Sequence, residues 1–149
     1  MENRIIPDLD SLREFAKEVL DISVNKFTNQ AGVIALNGEL GAGKTAFVQQ
    51  IAKELSIAEA ITSPTFVIMK MYEIDYGQFK QLIHIDAYRI EEESEMLVLG
   101  FGELLEDKEN LICIEWADNI KGLLPENQIQ LNFELTGNKE ERSVNIYGN

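Results

Sequence analysis

Hydrophobic and polar positions change period several times along the chain, and each change marks an element. Leu12, Phe15, Ala16 and Val19 recur at three- and four-residue spacing, which predicts an amphipathic helix near the start, with Ser11 and Glu14 at capping-box spacing. Val33-Ile34-Ala35-Leu36 is apolar without a break, the pattern of a strand buried on both faces. After a glycine-rich stretch, Val48, Ile51, Ala52 and Leu55 return to helical spacing. Residues 66–72, 82–85 and 111–114 read as three further strands, the last apolar throughout. Short helices are expected over 91–99 and 102–106, and 129–133 and 143–147 close the chain as alternating strands.

Apolar strands interleaved with helices predict an α/β layer fold around a mostly parallel central sheet, with the last two strands pairing antiparallel. No linker, repeat or low-complexity tract divides residues 1–149, so a single domain is expected. Its 149 residues suffice for one compact core.

Composition narrows the function classes. No segment approaches the roughly 20 apolar residues of a membrane span, and the start lacks the basic-then-apolar pattern of a signal peptide, so a cytoplasmic protein is expected. Cys113 is the only cysteine and lies in an apolar run, where a buried structural thiol is expected. The net charge of −13 argues against an unaided grip on RNA or DNA, which draws on Lys and Arg at the phosphate backbone. The acidity suits a partner with a basic surface, or simply keeps the protein soluble.

The stretch Gly38-Glu39-Leu40-Gly41-Ala42-Gly43-Lys44-Thr45 carries the strongest chemical signal. Gly38, Gly43, Lys44 and Thr45 fit the Walker A pattern of a phosphate loop (P-loop), and the match falls between a predicted strand and a predicted helix. Glycines let successive amide N–H groups turn inward as an anion nest. Lys44 would set a cation against the β- and γ-phosphates, Thr45 would give its hydroxyl to Mg²⁺, and the helix would aim its positive end at the phosphates. These parts suit a nucleoside triphosphate, ATP or its product ADP. The fold expected with them is a P-loop NTPase-like three-layer arrangement. Gly100-Phe101-Gly102 begins a second glycine motif but lacks its third glycine, and reads as a helix break.

Such a site needs a carboxylate at the end of a neighbouring strand to hold Mg²⁺ or its waters, and a polar group to orient the attacking water. Two strands end suitably, at Asp86 and at Glu115. Lys44, Asp86 and Glu115 are therefore the candidate catalytic groups. Arg89 is one of only four arginines, and is either an arginine finger, a partner contact or half of a salt bridge to residues 91–95. The acidic run 91–95 reads as a solvated helix start. Trp116 is a pocket wall, a partner anchor or core, and His84 reads as a packing or hydrogen-bonding residue.

Taken together, the chain resembles the TsaE (YjeE) family of bacterial P-loop ATPases required for threonylcarbamoyladenosine formation next to the tRNA anticodon. The resemblance rests on the loop at 38–45, Ser63-Pro64-Thr65-Phe66, His84-Ile85-Asp86-Ala87-Tyr88-Arg89, Glu95 with Gly100, and Glu115-Trp116, in the family's order. It implies Thr45 and Glu115 as Mg²⁺ ligands, Asp86 near the γ-phosphate, and 63–66, with Thr65, as a nucleotide-sensing switch. Arg142 matches a basic position of the family and would touch nucleotide. The sequence departs from the family at Ala46, Thr62 and Ala117, where Thr, Lys and Pro are usual.

The resemblance implies a weak, partner-stimulated ATPase acting on a complex of TsaD-like and TsaB-like proteins. Two other readings of the loop are a small-molecule kinase, which would need more arginines than this chain has, and a non-catalytic nucleotide switch.

Overall fold

In the computed structural model, which describes residues 1–62 and 68–149, seven strands form one sheet in the order β1-β7-β6-β2-β5-β4-β3. Chain order runs β1 (Glu2–Ile6), α1 (Leu9–Lys26), β2 (Gly32–Gly38), α2 (Lys44–Glu54), β3 (Met69–Tyr76), β4 (Phe79–Asp86), α3 (Ser94–Val98), α4 (Phe101–Glu106), β5 (Asn110–Glu115), a 3₁₀ segment (Ala117–Leu123), β6 (Ile129–Leu135) and β7 (Arg142–Tyr147). Strands β6, β2, β5 and β4 are mutually parallel, while β1, β7 and β3 add antiparallel partners outside them. Among the described residues the sheet is thus mixed, and the expectation of a mostly parallel sheet holds for the four central strands alone. The antiparallel pairing of β6 with β7 is present as expected.

The central strands are apolar because both their faces are covered. Alternation along β2 sends Ile34 and Leu36 into a core shared with α1 and α2, and Val33 and Ala35 into a second core with Met96, Phe101, Ala117 and Ile120. Along β5, Leu111 and Cys113 join the first core, and Ile112 and Ile114 the second. Cys113 is fully buried, and burial pushes its thiol up to about 12, in keeping with an inert structural role. Phe47 of α2 sits 5.7 Å, ring to ring, from both Phe15 of α1 and Phe133 of β6. Full burial of such a side chain is worth about 1.5–3 kcal/mol, and here it also fixes how α2 leaves the sheet.

Four local expectations are corrected. Helix α1 starts at Leu9, and its cap is Asp8, whose Oδ1 accepts the Ser11 N–H at 2.8 Å; Ser11 is the third helical residue and not the cap. Strand β1 was not expected: only Ile6 of it is buried, and its partner β7 lies at the other end of the chain. The strand expected at 66–72 runs over Met69–Tyr76, because an edge strand in a hairpin with β4 needs only one apolar face, while 66 and 67 fall outside the described residues. The helix expected at 91–99 is confined to Ser94–Val98: the Glu95 carboxylate accepts the N–H groups of Glu91 and Glu92 at 2.8 and 2.9 Å and holds them in a turn ahead of it. Gly100, with φ at +86°, separates α3 from α4, the helix break expected there. Among the described residues, no helix is long and apolar enough to cross a membrane.

Candidate functional site

Three neighbouring parallel strands, β2, β5 and β4, end side by side, and a cleft of about 600 Å³ opens beyond their carboxyl ends. Ligand sites of open α/β sheets lie at this edge. β2 delivers the glycine loop, β5 delivers Glu115 and β4 delivers Asp86. The last two are register partners on adjacent strands, and the Ala87 N–H donates to the Glu115 carbonyl at 3.0 Å, tying the two tips together.

The loop is shaped by its glycines. Gly38 leaves β2 at φ +144° so close to β6 that an added Cβ would meet the Phe133 carbonyl oxygen at 2.5 Å. Gly43 precedes α2 at φ +117°, where a Cβ would lie 2.3 Å from Arg142 Nε. Gly38 therefore needs glycine for conformation and for space, and Gly43 for its conformation, since the Arg142 side chain beside it can move. Between them Leu40 projects into solvent, Glu39 and Gly41 are exposed, and Ala42 is buried in the core, its N–H donating to the Glu39 carbonyl at 3.0 Å.

Lys44 is buried and points back into this loop. Its Nζ donates to the carbonyl oxygens of Gly38 and, at 3.0 Å, Glu39, and lies 4.1 Å from the centre of the Trp116 ring. Burial pulls its pKa below the usual lysine value, and the negative charges of Glu115 and Asp86 oppose that pull. Trp116 adopts a left-handed backbone, φ +56°, and its ring packs against that of Tyr88 at 5.0 Å.

Next to the lysine, Thr45 Oγ1 donates to Glu115 Oε1 at 2.7 Å. The other carboxylate oxygen, Oε2, is 2.6 Å from His84 Nε2. An ionised carboxylate only accepts, so the Nε2 position of the imidazole carries the proton of this contact. Asp86 Oδ1 accepts the Tyr88 N–H at 3.0 Å, and Asp86 lines the same cleft.

Of the residues singled out from the sequence, Lys44, Thr45, Asp86, Glu115 and Arg142 converge on this cleft together with Gly41, Gly43 and Leu40. Thr65 and the rest of the 63–66 turn lie outside the described residues. Arg89 lines the cleft but makes no ion pair with any described residue, so the salt bridge to 91–95 is not formed. Its expected partners are engaged elsewhere: Glu95 with the turn at 91–92, and Glu93 with the Gly122 N–H at 2.6 Å. The acidic run is largely exposed at the start of α3 as expected, with Glu95 and Glu93 also accepting backbone N–H groups. The direct contact of His84 with Glu115 and the packing of Tyr88 on Trp116 were not anticipated. The first had a signal in the two-residue spacing of His84 and Asp86, which puts both on one face of β4.

Fold and site together define an α/β protein whose central strand runs through a glycine-rich loop into a helix, with acidic residues on the two strand tips beside it. The family model for threonylcarbamoyl adenosine biosynthesis protein TsaE matches residues 6–144. The chain belongs to the TsaE family, and its role accordingly lies in threonylcarbamoyladenosine biosynthesis. It is 30% identical over 129 residues to the TsaE protein of Haemophilus influenzae, spanning 87% of this chain and 79% of that one. With the Bacillus subtilis TsaE protein it shares 37% over 114 residues, 76% of this chain and 68% of its relative. Among solved structures it is similar to Bacillus subtilis YdiB, with a TM-score of 0.70 and 28% identity over 96% of this chain and 82% of that one.

Proposed function

We propose that the chain binds Mg²⁺-ATP in this cleft and hydrolyses it slowly, as the ATP-driven component of threonylcarbamoyladenosine formation on tRNA in the cytoplasm. The observation that carries this reading is the 2.7 Å contact of Thr45 with Glu115 at the foot of the glycine loop. It sets two hard oxygen donors side by side next to a buried lysine, the donor chemistry that suits Mg²⁺ completed by phosphate oxygens and water. Mg²⁺ bound there would neutralise charge between the β- and γ-phosphates.

This chain's own groups supply the rest. In this reading the glycine loop and the N-terminus of α2 would cradle the polyphosphate, and Lys44 would exchange the Gly38 and Glu39 carbonyls for phosphate oxygens. Asp86, on the neighbouring tip, lies where it can orient the attacking water, and Arg142 lies against the loop at Gly43. Arg89 lines the cleft without an ion pair to any described residue, so its guanidinium is available to be set against the transferring group when a partner docks. An arginine finger is worth 10³–10⁵ in rate. In this reading hydrolysis by the chain alone is slow, and a TsaD-like and TsaB-like partner complex raises it.

Calorimetry with ATP and ADP, with and without Mg²⁺, tests the binding step. The expected result is Mg²⁺-enhanced binding of both, followed by phosphate release that rises on adding the partner proteins. Absence of nucleotide binding overturns the proposal, and appearance of a phosphorylated metabolite in place of free phosphate would make the chain a kinase.

A further inference from the structure

His84 lies on β4 with no exposed surface, on the face of the sheet that carries Leu82, and its only hydrogen-bond partner among the described residues is Glu115 Oε2. The other ring nitrogen, Nδ1, is buried without a partner among the described residues. Leaving a buried polar atom unsatisfied is unfavourable, and an apolar side chain at this position would avoid it. What position 84 gains from an imidazole is the contact with Glu115.

That contact has a geometric consequence. The terminal torsion of a glutamate is broad and roughly two-fold, so an unsupported carboxylate exposes either oxygen in any plane. Here the Nε2–H of His84 holds Oε2, which leaves Oε1 turned to the Thr45 hydroxyl. Side chains that hydrogen-bond to metal ligands in this manner orient them, and their loss typically costs 10–100-fold in metal affinity. We propose that His84 is a positioning residue that orients Glu115 for the divalent cation of the nucleotide complex, acting through Glu115 without touching nucleotide or metal. The inference rests on the Mg²⁺-nucleotide reading given above.

The test compares His84→Leu with His84→Gln, whose amide nitrogen can reach the place of Nε2. Mn²⁺ is titrated into the ADP complex of the full chain and followed by electron paramagnetic resonance, with ADP affinity in EDTA measured alongside by calorimetry. His84→Leu is expected to weaken Mn²⁺ about tenfold or more while ADP affinity in EDTA stays within about twofold of wild type, and His84→Gln should recover most of the Mn²⁺ affinity. Unchanged Mn²⁺ affinity in His84→Leu, or an equal loss of ADP with and without metal, overturns the role. If His84→Leu does not fold, His84→Gln is compared with His84→Asn, whose shorter amide cannot reach; equal Mn²⁺ affinities then overturn it. A wild-type protein that binds no Mg²⁺-nucleotide removes the function proposed above and this role with it, whereas normal wild-type binding beside an unaffected His84→Leu removes this role alone.

Discussion

Thr45 and Glu115 are 70 residues apart in sequence, yet the hydroxyl of one donates to the carboxylate of the other at 2.7 Å. The contact exists because β2 and β5 are adjacent and parallel, so the helix that follows one strand begins beside the tip of the other. Thr45→Ala removes an oxygen from this pair without touching the lysine. Nucleotide affinity in EDTA should stay near wild type, while the gain on adding Mg²⁺ is largely lost. Lys44→Ala should instead weaken nucleotide about tenfold to a hundredfold under both conditions, since a hydrogen bond to a charged group is worth about 1.5–3 kcal/mol. Calorimetric titrations in the two buffers separate the effects.

Gly43→Ala puts a side chain on a backbone at φ +117° and obliges the Arg142 side chain beside it to shift. The variant should bind nucleotide about fivefold to a hundredfold more weakly, as strain of this kind costs about 1–3 kcal/mol. Adding Arg142→Ala relieves only the collision, so the double variant should remain weaker than Arg142→Ala alone. A double-mutant cycle on ADP binding reads this directly.

Phe47→Ala removes the ring that joins α1, α2 and β6. A loss of about 3–5 kcal/mol in unfolding free energy is expected from urea titration. Nucleotide affinity of the fraction that stays folded should fall too, because the start of α2 is no longer held.

Tyr76, at the end of β3, donates its hydroxyl to Asp21 of α1 at 2.8 Å, and burial with this hydrogen bond raises its pKa to about 12. In the unfolded chain the phenol ionises near 10. The unfolded state therefore releases its proton first, and stability falls as pH rises from about 10 to about 12. Tyr76→Phe should flatten that part of the stability profile in chemical denaturation measured across the range.

Much of the centre of the molecule was legible because its signals are local. The apolar runs of β2 and β5, the glycine loop and the periodicity of α2 each sit in a few consecutive residues. Lys44 and Thr45 follow from the loop pattern, and Asp86 and Glu115 from being the first polar residues after apolar strands. What escaped depends on distant parts of the chain. β1 is a strand only because β7 is beside it, and the register of Asp86 with Glu115, which brings His84 to the carboxylate, is a property of the assembled sheet. Of the three readings of Arg89, the ion pair is absent among the described residues because backbone N–H groups at 91, 92 and 122 take the carboxylates of Glu95 and Glu93.

The edge pairing of β1 with β7 ties the two ends of the chain to the glycine loop. Ile6 is the register partner of Arg142, and Arg142 is the side chain that lies against Gly43. The loop is thus braced from outside by way of Arg142, whose strand is held by β1 at Glu2–Ile6. A fusion or deletion there would slacken Arg142 and be felt as weaker nucleotide binding in a protein whose whole 38–45 segment is intact. Alterations at the amino terminus are accordingly not neutral handles for studying the site.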